Sequence, residues 1–168
     1  MSQTLHGSPA GEGRRIAIAV SDFNEFVTRP LVAGALAELS RRGVDEADVL
    51  IAHVPGAFEL PAVARRLSVA GFDAVICLGA VIRGDTDHYT YVCEAAAAGI
   101  AQVSLEASVP VLFGVLTCDT AEQAMDRAGG KAGNKGEEVA RAALELADLY
   151  RRLPPPRISP PRTGTSRA

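Results

Sequence analysis

Tryptophan is absent from this chain of 168 residues, and only five Phe and three Tyr are present. With so few large rings the core must be built from Ala, Val, Leu and Ile, a composition that suits buried parallel strands covered by helices. Cysteine is equally scarce. Cys77, Cys93 and Cys118 are odd in number, far apart and set in apolar or helical-looking segments, which argues against a disulfide framework and for reduced thiols in the cytoplasm. Neither sign of charge dominates: the formal net charge is −3, without the basic surplus of a nucleic-acid binder or the acidic block of a solvated tail. No apolar run approaches membrane-spanning length. Residues Met1 to Gly13 are polar and Gly-containing, without the basic start and apolar run of a secretory leader. The expectation is a cytoplasmic protein with neither nucleic acid nor membrane as its partner.

What the chain does contain is 48 % apolar residues, enough for one continuous core at this length. Four apolar runs read as strands: Ile16 to Val20, Val49 to Val54, Ala74 to Ile82 and Val111 to Leu116. None alternates with polar residues, so each is expected to be buried on both faces. Between them lie segments of helical period, carried by Val32, Ala35, Leu36 and Leu39, then Leu60, Val63, Ala64 and Leu67, then Val92, Ala95, Ala96 and Gly99. Thr28 is placed as the cap of the first helix with Pro30 in its first turn, Pro61 sits just inside the second, and Gly43 and Gly71 stop the two. Thr120 caps a short helix ending near Gly129, and a longer helix from Lys135 presents Val139, Ala142, Ala143 and Leu146. The order βαβαβαβαα with right-handed crossovers predicts an α/β protein. Its architecture is a three-layer α/β/α sandwich of flavodoxin-like type, with a four-stranded parallel sheet and helices on both faces. Residues 1–14 form an arm that is loose or added to a neighbour's sheet, 15–153 the domain, and 154–168 a Pro- and Arg-rich tail read as extended or disordered.

In an open parallel sheet ligands bind beyond the carboxyl ends of the strands, where free helix N–H groups converge. The loops there read Ser21-Asp22-Phe23-Asn24, Pro55-Gly56-Ala57-Phe58-Glu59 and Arg83-Gly84-Asp85-Thr86-Asp87-His88. The third combines consecutive N–H groups, a hydroxyl and a histidine, a plausible phosphate cradle with an acid/base beside it. Gly79 to Thr86 has the spacing of a P-loop, but Asp85 stands where its lysine would be, which excludes a nucleoside triphosphatase. Gly11-Glu12-Gly13 precedes the first strand instead of following it, so it is no dinucleotide fingerprint. Of three histidines, His6 lies in the arm and His53 in a strand, leaving His88 on the rim, and imidazole is the side chain suited to proton exchange near neutrality. Position alone leaves the other candidates open. Arg127 and Arg83 read as surface charges or anion ligands, Phe23 and Phe113 as core or as stacking platforms, and Glu59 as a helix-dipole partner or a polyol acceptor.

Several motifs in register resemble the lumazine synthase family: Phe23-Asn24-Glu25-Phe26-Val27-Thr28, Val54-Pro55-Gly56-Ala57-Phe58-Glu59-Leu60-Pro61, Leu78 to Gly84, and His88-Tyr89. Further along, Val109 to Thr117, Glu122-Gln123-Ala124, Arg127-Ala128-Gly129 and Lys131-Ala132-Gly133-Asn134-Lys135-Gly136 continue the likeness. The resemblance covers roughly residues 14 to 152. It implies condensation of 5-amino-6-(D-ribitylamino)uracil with 3,4-dihydroxy-2-butanone 4-phosphate to 6,7-dimethyl-8-ribityllumazine, phosphate and water, without metal or organic cofactor. Matched position by position, it assigns proton transfer to His88. Phe23 would stack on the pyrimidine, with Phe113 reaching it from an adjacent subunit. Ala57, Phe58 and Glu59 would hold the ribityl chain, and Ala80, Val81 and Ile82 would offer backbone groups to the uracil. Asp85, Thr86, Arg127 and Lys135 would serve the phosphate. Asp85 and Asp87 place negative charge beside that anion, so backbone N–H groups would carry much of its binding. The resemblance also implies a pentamer. The linker from Gly129 to Gly136 looks like that of members forming 60-subunit icosahedral shells, and a riboflavin synthase that uses the product is a candidate associate. The competing expectations are a non-catalytic flavin-binding protein and a shell-forming structural protein.

Overall fold

The computed structural model describes residues 2–154; apart from Pro154, the tail lies outside the described residues. Strands β1 (Ile16–Ser21), β2 (Val49–Val54), β3 (Ala74–Ile82) and β4 (Val111–Cys118) form one parallel sheet in the order β2-β1-β3-β4. Helices α1 (Glu25–Arg41) and α5 (Lys135–Arg152) cover one face; α2 (Leu60–Leu67) and α3 (His88–Glu106) cover the other. This is the expected three-layer, flavodoxin-like architecture, and strand order inverts between β1 and β3, where such sheets open a crevice.

Side-chain size sorts the two layers. Ile16, Ile18 and Val20 of β1 meet Val27, Leu31 and Leu39 of α1 and Leu144 of α5, whereas Ala17 and Ala19 point toward Leu60 and Ala64 of α2. Small residues on that face let α2 approach the sheet closely. Gly79 of β3 takes this furthest: a Cβ there would stand 3.0 Å from Ser21 Oγ and 3.2 Å from Leu60 Cδ1. Among the described residues no helix is long and apolar enough to cross a membrane.

Several details differ from the sequence expectation. β1 and β3 are buried on both faces, but β2 and β4 are edge strands with exposed positions such as His53, Phe113 and Thr117; an apolar run does not reveal which strands lie outermost. The first helix starts at Glu25, not after Thr28. Asn24 adopts a left-handed conformation (φ 61°), and its carbonyl accepts from the N–H groups of Val27 and Thr28, so Thr28 is buried within the helix and Pro30 falls a turn inside it. Gly43, at φ 92°, follows the end of α1 as expected, but α2 already stops at Leu67 and Gly71 closes the turn beyond it. Thr120 caps α4 (Ala121–Arg127) by accepting from Gln123 N–H at 3.2 Å. The glycine-rich linker after it folds into a small antiparallel hairpin, β5 (Ala128–Gly130) and β6 (Gly133–Asn134).

The arm runs along its own chain. Gly11 N–H donates to Arg42 O at 2.8 Å, Ser8 N–H to Asp148 Oδ2 at 2.9 Å, and Arg152 Nη1 to His6 O at 2.6 Å. Arg14 is buried, 3.9 Å from Asp73 and 3.6 Å from Asp148. A second buried charge, Glu38, ties α1 to α5: it pairs with Arg41 and, at 2.8 Å, with Arg42, while Arg41 also reaches Glu137 at 2.9 Å.

Candidate active site

At the carboxyl end of β1 and β3, on the α2/α3 face, lies a cavity of about 710 Å³, a size that suits a small organic ligand. It is lined by Phe23 from the first loop, Pro55 to Glu59 from the second, Ala80, Val81 and Ile82 from the end of β3, and Gly84, Thr86, His88, Tyr89 and Val92 from the third loop and the start of α3. All three loops singled out in the sequence thus converge on one space.

Each wall is held by hydrogen bonds that start from the ends of the strands. Asp22 N–H donates to Val54 O at 2.8 Å and Phe23 N–H to Pro55 O at 3.1 Å, so the first loop is stitched to the second. His53 Nδ1 lies 2.7 Å from Asp22 Oδ1 behind them. Asn24 Nδ2 donates to Ala80 O at 2.9 Å, tying the first loop to the end of β3. Pinned at its backbone, Phe23 leaves its ring 71 % exposed, available as a flat apolar face.

Ala57–Glu59 is a short 3₁₀ turn leading into α2, and Glu59 Oε2 accepts from Gly56 N–H at 3.0 Å. Glu59 therefore serves the helix start itself, while its place on the wall keeps the carboxylate beside the cavity. Ala57 is buried and Phe58 is 60 % exposed. The backbone rule behind this wall is steric: with Gly79 beneath it, the turn can sit directly on β3.

His88 is the first residue of α3, one position after the N-cap Asp87, and is exposed. Arg83, which ends the approach from β3, does not face the cavity. Its backbone N–H donates to Cys118 O at 2.9 Å, its Nε to Asp119 Oδ1 at 2.7 Å, and its guanidinium carbon lies 4.4 Å from the centre of the Tyr89 ring. The hydrogen bond to Asp119 raises the Arg83 pKa above the ordinary value. Burial, and then a hydrogen bond with Cys93, raise that of the Tyr89 hydroxyl. Burial likewise raises Cys93 and Cys118 and pushes Cys77 up to about 12. All three are free thiols, not activated ones.

Of the residues expected at the site, Phe23, Ala57, Phe58, Glu59, Ala80, Val81, Ile82, Thr86 and His88 line the cavity. Asp85, Phe113, Arg127 and Lys135 do not. Asp85 is exposed within the third loop. Phe113 pairs with Cys77 in the β3–β4 register, five positions below the Ile82–Cys118 pair, or about 17 Å along the strand at ~3.3 Å per residue. It is 42 % exposed on the edge strand. Arg127 ends α4 with its Nη1 donating to Gln123 O at 3.0 Å, and Lys135 opens α5 paired with Glu138. Five lining residues lie outside the expected set: Pro55, Gly56 and Gly84 belong to the loops that carry it, and Tyr89 and Val92 follow from helix geometry, Val92 being four residues after His88 and three after Tyr89, on one face. Among the described residues no Lys or Arg lines the cavity.

A family model described as 6,7-dimethyl-8-ribityllumazine synthase matches residues 13–151. That span takes in every strand of the sheet and every wall of the cavity, and the motifs that build those walls stand in the same order as the resemblance requires. The chain therefore belongs to the 6,7-dimethyl-8-ribityllumazine synthase family, transferases of riboflavin biosynthesis.

Proposed function

We propose that this cavity is where 5-amino-6-(D-ribitylamino)uracil condenses with 3,4-dihydroxy-2-butanone 4-phosphate, with His88 moving the protons. The supporting observation is the chemistry gathered on one cavity. A flat apolar ring, Phe23, a carboxylate-bearing turn, Glu59, and a histidine beside a loop of backbone N–H groups, His88, all line the one space. The pyrimidine lies against Phe23 over the floor of Ala80 to Ile82, and the ribityl chain runs along Ala57 to Glu59. The phosphate sits at Gly84 to Thr86. The uracil amine attacks the ketone and loses water to give an imine; phosphate leaves; the second ring closes with loss of water. Each step moves a proton, the work an imidazole at the rim does, contributing ~10²–10⁴-fold.

A phosphate dianion in a cavity that no Lys or Arg among the described residues lines, flanked by Asp85 and Asp87, needs a cation from beyond these walls. We propose that an adjacent copy supplies Arg127 and Lys135, and Phe113 for the pyrimidine, within a pentamer, and that pentamers build a 60-subunit shell. Exposed apolar side chains support assembly: Phe26 at 52 %, Tyr91 at 67 % and Leu105 at 85 % are surfaces a lone chain leaves unburied. The proposed location is the cytoplasm, in keeping with three free cysteines.

The test is formation of the lumazine chromophore by purified protein against a protein-free control, since the condensation also proceeds uncatalysed. His88→Ala should lower kcat ~10²–10⁴-fold. Arg127→Ala should raise the KM for the phosphorylated substrate about 10- to 150-fold, the loss of one charge-assisted bond. Because the two residues would meet across a subunit boundary, mixing the two variants and reassembling them should restore activity. Wild-type protein no faster than the control would overturn the reading.

A further inference from the structure

We propose that Arg83, held by Asp119, is a positioning residue that fixes the first turn of α3, and with it His88, against the end of the sheet. This rests on the proposed function above and adds to it a residue outside the cavity.

The need for such a device follows from what the loop lacks. Residues 84–87 are all exposed. A Cβ on Gly84 would meet nothing within 4 Å, and Asp87 makes no side-chain hydrogen bond as the N-cap of α3. A helix start with an uncapped N-terminus frays, yet the proton-transferring imidazole sits on its very first residue. Nothing within the loop supplies the rigidity that a reacting group requires.

Arg83 supplies it by bridging the loop from one side to the other. Its backbone continues the β3–β4 ladder by one residue through the bond to Cys118 O. From that fixed point the side chain crosses to the first turn of α3 and lays its guanidinium over Tyr89, 4.4 Å from the ring centre. Asp119, 2.7 Å from Nε, sets the plane of the guanidinium, and Tyr89 packs in turn against the hydrophobic cluster between α3 and the sheet. The chain sheet, Asp119, Arg83, Tyr89 and α3 is continuous. The same geometry turns Arg83 from the cavity, which it does not line: its Nε is committed to Asp119 and its flat face to Tyr89.

The experiment uses the full-length assembly and four variants: Arg83→Gln, Asp119→Asn, the two combined, and Asp119→Glu, which retains the ion pair. The expected result is a kcat about tenfold lower in Arg83→Gln and in Asp119→Asn, the scale of a small misplacement of a reacting group. The KM for the uracil should stay within about twofold, because Phe23 and Glu59 are untouched. The double variant should be no worse than either single one, and Asp119→Glu should restore kcat, which also separates the effect from misfolding. Amide exchange across residues 84–92 should quicken in Arg83→Gln. A kcat unchanged in both single variants overturns the proposal, as does a raised KM for the butanone phosphate at unchanged kcat, which would make Arg83 a ligand. If wild-type protein does not exceed the protein-free control, the proposed function fails and exchange alone decides: unchanged protection of residues 84–92 then overturns the positioning role, and faster exchange sustains it.

Discussion

Replacing Gly79 by Ala tests whether close packing at the sheet centre sets the cavity wall. The added Cβ would lie 3.0 Å from Ser21 Oγ, 3.2 Å from Leu60 Cδ1 and 3.6 Å from Ala57 Cβ. The first two contacts are tighter than ordinary packing, and Ser21 and Leu60 are both almost fully buried, so relief must come from moving the 3₁₀ turn and the start of α2 outward. Overpacking of this kind costs about 1–3 kcal/mol, a drop of roughly 2–12 °C in Tm for a chain of this size, measured at fixed protomer concentration because assembly adds to apparent stability. The turn that moves carries Ala57, Phe58 and Glu59, so kcat/KM for the uracil should fall along with stability. Ser21 provides the internal control. Its Oγ is buried without a hydrogen-bond partner among the described residues, so Ser21→Ala alone should be neutral or stabilising. In the double variant the closest contact is gone, and about half the loss should return as a non-additive term. A Gly79→Ala protein that melts and turns over like wild type would refute the claim that this glycine sets the wall.

Other perturbations follow from the same geometry. Removing Arg41 and Arg42 together leaves the buried Glu38 uncompensated and should cost about 3–5 kcal/mol, whereas Glu38→Leu, which removes the buried charge itself, should cost far less; urea midpoints distinguish the two. Asp148 is held below the usual carboxylate range, first by Ser8 N–H and then by Arg152 and Arg14. The docking of the arm that it provides is therefore complete above the ordinary aspartate value and is lost as pH falls through the depressed one. Pepsin cleavage of the arm should accelerate across that acid window in wild type, and Asp148→Asn should remove the acceleration. Phe23→Ala should raise the KM for the uracil at least 2- to 12-fold, the equivalent of ~0.5–1.5 kcal/mol of stacking, with little change in kcat; an unchanged KM would place the pyrimidine elsewhere.

The parallel sheet was legible because burial writes itself into a run of Ile, Val, Leu and Ala. β2 and β3 have the same bounds in the sequence reading and in the structure, and β1 and β4 run only one and two residues further. Edge position was not legible: Val49 to Val54 is as apolar as an inner strand, although His53 and Leu50 face outward. The start of α1 is masked in the sequence because Thr28 and Pro30 carry a strong local signal. Asn24, which does cap the helix, is fixed by a tertiary bond to Ala80 O, fifty-six residues away. At the site, the loops are legible because their residues cluster in sequence. Arg83 shows the limit: its separation from Asp119 by thirty-six residues hides the ion pair that takes it out of the cavity.

The chemistry of the cavity and the surface of the chain point to the same physical need. Phe23 and Phe58 are exposed at 71 % and 60 %, and burying such a ring stabilises by about 1.5–3 kcal/mol, so a lone chain gives up substantial free energy to keep them in water. The loop beside His88 carries two aspartates, and Arg83, the cation nearest to it in sequence, is turned onto Asp119 and Tyr89. On the proposed reading, then, the described residues of one chain offer recognition surfaces and a proton carrier, and among them no Lys or Arg lines the cavity to balance the phosphate. On the proposed reading an adjacent copy corrects both shortfalls at once: Phe113 covers the pyrimidine, and Arg127 and Lys135 neutralise the phosphate. Assembly and substrate binding then draw on one surface. Acidic residues in the third loop would be tolerable if, as proposed, they stand opposite a neighbour's cations, and the charge pattern of the loop would then be a property of the interface and not of the single fold.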